Sequence, residues 1–164
     1  MTIVRLLFVA LAGLMLAPSA ASAADDPGFR HVTKAGTYED VRDDVRAAIE
    51  KRGLVIDYTG HVNSMLERTA DVAGSVTTKG AKSPFANAEY MQFCPSALTH
   101  EAVSASPFAV ANCPMSIFIY ELRDKPGVIE VGYRLPVPSP SKIVRGINEK
   151  ITALMQEIVA EATK

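Results

Sequence analysis

Chemistry in this chain concentrates between Tyr90 and Tyr120, YMQFCPSALTHEAVSASPFAVANCPMSIFIY. Both cysteines, Cys94 and Cys113, lie here, each followed directly by proline, and His100, one of 3 histidines, stands between them. Three chemistries suit this set. A disulfide needs no further partner, and closing a loop of this length stabilises a fold by about 3 kcal/mol in the chain-entropy account. A reactive thiol is the second. Cys94 ends an expected strand and precedes a helix expected to open at Pro95, and a helix N-terminus favours thiolate over thiol. With His100 close to two turns further on, such a thiolate would serve redox or sulfur-handling chemistry. The third is a soft-metal, zinc or haem site built on Cys94, His100 and Cys113, with Met91, Met115, His61 or Met65 as additions. The spacing matches neither a zinc-ribbon pair nor a C-x-x-C-H haem attachment.

Other candidates are thinner. Glu121 and Glu130 flank an expected hairpin turn and would form a paired-carboxylate acid/base site if they faced each other. His31 and His61 read as surface or strand-end residues. The sequence contains no Gly-rich phosphate loop, no G-x-S-x-G elbow and no H-E-x-x-H stretch. It therefore names no catalytic set, no cofactor, no substrate and no small ligand.

The N-terminus decides which cysteine chemistry the compartment favours. Arg5, the apolar run Leu6 to Leu16, Pro18 and Ala21-Ser22-Ala23 have the order of a secretory signal, with cleavage expected after Ala23. The run is shorter than the ~20 residues needed to cross a bilayer. The reading is residues 1–23 as signal peptide, residues 24–164 as a single domain, and a periplasmic location. An exported, oxidising setting favours pairing of the two cysteines. Cleavage would remove one of 17 basic residues and none of the 18 acidic ones, leaving a slightly acidic chain. With no basic stripe and 7% aromatic residues, it has no nucleic-acid surface in its composition. No second apolar run is long enough to hold it to a membrane once the signal is gone.

Positioning these residues requires a scaffold that the periodicity outlines. Phe29 to Lys34 reads as a strand broken by Gly36. Thr37 and Asp40 resemble a capping box, and Val41, Val45, Ala48 and Ile49 recur at helical spacing, with Lys51 and Arg52 in the last turn and Gly53 as the stop. Leu54 to Tyr58 reads as a strand ended by Gly60. Ser64 and Glu67 suggest a cap for a helix from about Met65 to Val72. Gly74 to Asn87 reads as a loop, and Glu89 to Phe93 as a strand. A helix from Pro95 to about Ser104 follows, and Pro107 interrupts the next apolar segment. Met115 to Leu122 is the most β-prone run and is expected to be a central strand. Lys125-Pro126-Gly127 turns it into Val128 to Leu135. After the stiff segment Pro136 to Pro140, Ser141 opens a helix from Lys142 to about Ala162. Its wide apolar stripe (Val144, Ile147, Ile151, Leu154 and Ile158, with Ile143, Met155 and Val159) suits packing on a sheet and could also serve a homodimer seam. The sum is an α+β domain: one mixed sheet of about five strands, helices packed on it and a long C-terminal helix.

Several of these segments resemble the bacterial family called domain of unknown function 302. The resemblance runs from about Phe29 to the last helix. It rests on the opening strand and helix, on Phe93-Cys94-Pro95, on Cys113-Pro114 leading into Ile117-Phe118-Ile119-Tyr120-Glu121, and on Gly132-Tyr133-Arg134. Many relatives carry a cysteine just after the proline, where Met115 stands here, and this chain carries Cys113 just before it. The resemblance implies a compact α+β fold often expected to dimerise, and a loose association of exported members with sulfur or redox metabolism. It implies no settled activity. The reading is an exported small binding or accessory domain whose site lies near Cys94 and Cys113. A thiol-dependent redox protein and a soft-metal or haem binder stand as alternatives.

Overall fold

The structure is a computed structural model and describes residues 27–70 and 83–164. The signal segment, the expected helix end at Val72 and most of the expected loop from Gly74 fall outside those residues. The described chain runs β1 (Phe29–Ala35), α1 (Tyr38–Glu50), β2 (Ile56–His61), α2 (Val62–Ala70), β3 (Phe85–Phe93), α3 (Ser96–Ala105), a 3-10 turn (Pro107–Asn112), β4 (Met115–Leu122), β5 (Val128–Arg134) and α4 (Lys142–Ala162). It is an α+β fold on one five-stranded sheet of order β1-β5-β4-β3-β2. All four strand pairings are antiparallel, so among the described residues the sheet has no parallel pair where a mixed sheet was expected. Neighbours β4 and β5 close through the short turn at Gly127, whose φ of 77° suits glycine.

Side-chain alternation divides the sheet into two faces. Met91, Phe93, Ile117, Ile119, Ile129 and Val131 point to the helix side and are buried there. α1 and α4 pack on each other over this face, and α3 packs on α4. From α1 come Tyr38, Val41, Val45, Ala48 and Ile49. From α4 come Val144, Ile147, Ile151, Met155, Ile158 and Val159. Burying each side chain of this size contributes about 1.5–3 kcal/mol before the entropy of ordering is subtracted. Most of the stripe that could have served a dimer seam is therefore consumed within the chain; Ile143, counted in that stripe, is exposed.

The two long helices begin as their sequences require. Thr37 accepts from the Asp40 backbone N–H at 3.2 Å and donates its hydroxyl to the Asp40 carboxylate at 2.7 Å. Ser141 accepts from the Val144 backbone N–H at 3.4 Å. Several boundaries differ from expectation. Lys51 and Arg52 lie just past the end of α1, where they bind Glu161 of α4 at 2.6 and 2.7 Å. β2 runs through Gly60 to His61, with the Tyr90 ring lying over the bare glycine. α2 starts at Val62, so Ser64 lies inside it and donates to the His61 carbonyl, while Glu67 pairs with Arg123. β3 begins at Phe85, inside the expected loop. The 3-10 turn before β4 was not anticipated; six residues are too few to show a period.

Candidate functional site

Cys94 and Cys113 are joined by a disulfide, with Cα atoms 6.0 Å apart. That separation is ordinary for a bridge. β3 ends at Phe93 and β4 starts at Met115, and these two residues are cross-strand partners. The bridge therefore clamps one end of the β3–β4 pair, just outside the ladder. It also anchors the 3-10 turn. Asn112, next to Cys113 and buried, donates to the Asn148 side chain at 3.2 Å and accepts from the Val137 backbone N–H at 2.6 Å. Asn148 in turn donates to the Val137 carbonyl at 2.9 Å. The stiff segment before α4 is thus held to the cysteine-bearing corner.

The other residues singled out in the sequence are not gathered around the sulfurs. His100 is exposed on α3, with Ser104 at 3.5 Å as its partner. Met91 and Met115 are core side chains, and Met65 is exposed on α2. His61 pairs with Glu89 at 3.2 Å. Among the described residues no three His, Cys, Asp or Glu side chains are grouped to hold a metal. The paired-carboxylate reading fails on strand parity. Glu121 stands opposite Ile129 on the helix side, whereas Glu130 stands opposite Tyr120 on the other face. Each is already engaged: Glu121 accepts from Asn87 at 3.0 Å and from the Gly127 backbone N–H at 2.8 Å.

The face away from α1 and α4 is where sequence reasoning missed a constellation. Its residues alternate with the core set: Phe29, His31 and Thr33 on β1; Glu130, Gly132 and Arg134 on β5; Ser116, Phe118 and Tyr120 on β4; Tyr90 on β3. The rings form a continuous tract. Phe29 meets Phe118 edge-on at 6.0 Å, Phe118 and Tyr120 lie nearly parallel at 6.3 Å, and Tyr120 meets Phe85 at 5.4 Å. Two glycines let rings lie down on the sheet. A Cβ at Gly132 would collide with the Phe118 ring, and one at Gly60 with the Tyr90 ring. The rings are half-buried, and they line a cleft of about 580 Å³ shared by Phe29, His31, Tyr90, Ser116, Phe118, Tyr120 and Arg134. This volume lies in the range of small-molecule sites.

Polar groups meet the rings at one side of the cleft. His31 Nδ1 is 2.8 Å from Glu130 Oε2, and the Thr33 hydroxyl donates to Glu130 Oε1 at 2.9 Å. Both carboxylate oxygens are thereby occupied, and the imidazole is fixed through one nitrogen. Its Nε2 has no partner among the described residues. Burial, and secondarily the Glu130 charge, push the Tyr120 phenol up from its ordinary pKa, so it stays protonated and able to donate. The signal for this face was available in Met115 to Leu122, where rings occupy one parity and isoleucines the other. A run apolar on both parities also describes a strand buried on both sides, so parity alone did not reveal an open face.

An antiparallel sheet covered by helices on one side, bridged at one corner and, among the described residues, open over an aromatic cleft defines a small α+β domain. The model of the family described as "Domain of unknown function DUF302" matches residues 29–162, and the chain belongs to that family. Among solved structures it is similar to the "uncharacterized conserved protein DUF302 from Bacillus stearothermophilus". That likeness has 12% identity, covers 79% of this chain and 97% of that one, and has a TM-score of 0.58, which speaks to the fold. A search of curated proteins finds no match.

Proposed function

We propose that the chain is a small exported binding domain, periplasmic after cleavage at Ala23, in which the Cys94–Cys113 bridge is structural. The observation that carries this reading is where the bridge sits. It locks the ends of β3 and β4, the two strands whose outward residues Tyr90, Ser116, Phe118 and Tyr120 line the cleft. A bond in that position gives the cleft a fixed floor, which is how a binding surface lowers the ordering cost of taking a ligand. Export supports the same role, because the bridge is then made in a compartment that preserves it.

Thiol counting on protein recovered from the periplasm, with and without denaturant and reductant, tests the proposal. The expected result is no free thiol until reductant is added, in a chain whose N-terminus is Ala24. Two fast-reacting thiols in the native protein would instead support redox or sulfur handling and overturn the structural role.

A further inference from the structure

We propose that the open face of the sheet is a site for a flat aromatic molecule bearing a carboxylate or comparable anionic group. Phe29, Phe118 and Tyr120 receive its plane, and Arg134 receives its charge. The inference rests on reading the chain as a binding domain and adds the place and the chemistry of the ligand.

Shape comes first. Phe118 and Tyr120 are 18° from parallel, and Phe29 stands edge-on to Phe118. Together they offer a shallow floor with one raised side, an arrangement that takes a planar ring by offset stacking and an edge contact. The floor is level because nothing projects from beneath it: Gly132 lies under Phe118. A branched aliphatic ligand would use this surface poorly, since the area is flat and the cleft is open rather than enclosed.

Charge comes second. Arg134 lines the cleft, and its guanidinium has no ion-pair partner among the described residues. A planar guanidinium suits a carboxylate in two-point contact. His31 is held through Nδ1 by Glu130, so its remaining nitrogen is presented in a fixed orientation. Glu130 lies within the same group, with its oxygens turned to His31 and Thr33, and Arg134 is the cation that meets the ligand. Tyr120 and Ser116 add neutral hydroxyls along the floor. Rings in the middle with the Arg134 guanidinium and hydroxyl groups at the side is the pattern of a pocket that selects an aromatic anion.

The test uses two fluorescent probes that share a ring system and differ in charge: 1-anilinonaphthalene-8-sulfonate and the neutral N-phenyl-1-naphthylamine. Each is titrated into the full exported chain with its bridge intact. Saturable binding of one sulfonate probe per chain is expected. Arg134→Gln should weaken the sulfonate about tenfold, the scale of one charged hydrogen bond, and leave the neutral probe unchanged. Phe118→Leu, which keeps apolar cover over Gly132 while removing the ring, should weaken both. Near-UV circular dichroism and the thermal midpoint of each variant establish that the fold is retained. An Arg134→Gln variant that binds the sulfonate as well as the parent does, or a parent that binds neither probe saturably, overturns the proposal. Sedimentation of the same samples is a second check: a dimer dissociated by Tyr120→Lys would assign the face to a second copy of the chain and also overturn it. Failure of the probes in a protein without free thiols would move the ligand elsewhere, whereas reactive thiols would remove the binding-domain reading whatever the probes do.

Discussion

Tyr38 carries a hydroxyl into the core without a hydrogen-bond partner among the described residues. Burial, then the nearby Glu89 charge, pushes its pKa far above the ordinary phenol value, so the group is a neutral donor with nothing to donate to. A buried unpaired hydroxyl is a standing penalty of about 1 kcal/mol or more. Tyr38→Phe keeps the ring and removes the penalty. It is expected to raise stability by about 1 kcal/mol in urea unfolding, and a lowered midpoint would mean that the hydroxyl has a use. At this scale the sequence was least legible. His31 and Glu130 are 99 residues apart, and only the β1–β5 register brings them together. Residue type alone made His31 a bland strand residue, and Glu130 half of a pair that parity forbids.

Among the elements, those with strong local signals were readable. α1 and α4 announce themselves by cap and stripe, and the β4–β5 hairpin by its turn residues. Errors arose where a local signal had a tertiary purpose. Gly60 looked like a strand terminator and is a strand interior residue under Tyr90. Ser64 and Glu67 looked like a cap, and their side chains serve the His61 carbonyl and Arg123. The cysteine corner was legible from the two Cys-Pro steps and the signal-like N-terminal sequence, though not the Asn112–Asn148–Val137 clasp beside it. Because either cysteine opens the same loop, Cys94→Ser and Cys113→Ser are expected to destabilise equally, by about 3 kcal/mol each. Chemical denaturation of both variants checks this; a difference well beyond measurement error would show that one sulfur does something besides bridging.

Across the whole molecule, the first and last helices are tied at their ends. Glu161 near the end of α4 accepts from Lys51 and Arg52, which follow α1 directly. These two cations hold its carboxyl below the usual carboxylate range. A carboxylate whose folded pKa is depressed stabilises above its unfolded pKa, and that contribution is lost as pH falls through the folded value. Glu161→Gln should therefore lower the thermal midpoint at neutral pH. The gap between variant and parent should shrink as pH drops through and below the acidic carboxylate range, and added salt should narrow it at neutral pH because Lys51 is solvent-exposed. A gap that widened on acidification would contradict the assignment. The α+β architecture was legible at this scale because strand and helix count follow from periodicity. The all-antiparallel order was not, since it depends on which distant strands meet.

Gly60 and Gly132 look alike as bare positions under aromatic rings, but they carry unequal liabilities. At Gly60 the nearest atoms to an added methyl group are the outer atoms of Tyr90, which can rotate away. At Gly132 it meets both Phe118 and the backbone carbonyl of Arg30, and the carbonyl cannot move without parting β1 from β5. Gly132→Ala should accordingly unfold at lower urea than Gly60→Ala, with equal midpoints refuting the distinction. Gly60→Ala would instead tip one ring upright and roughen the surface while the scaffold stands. One glycine is a seam on which the sheet depends; the other is a hinge on which the texture of the face can be retuned without touching the fold.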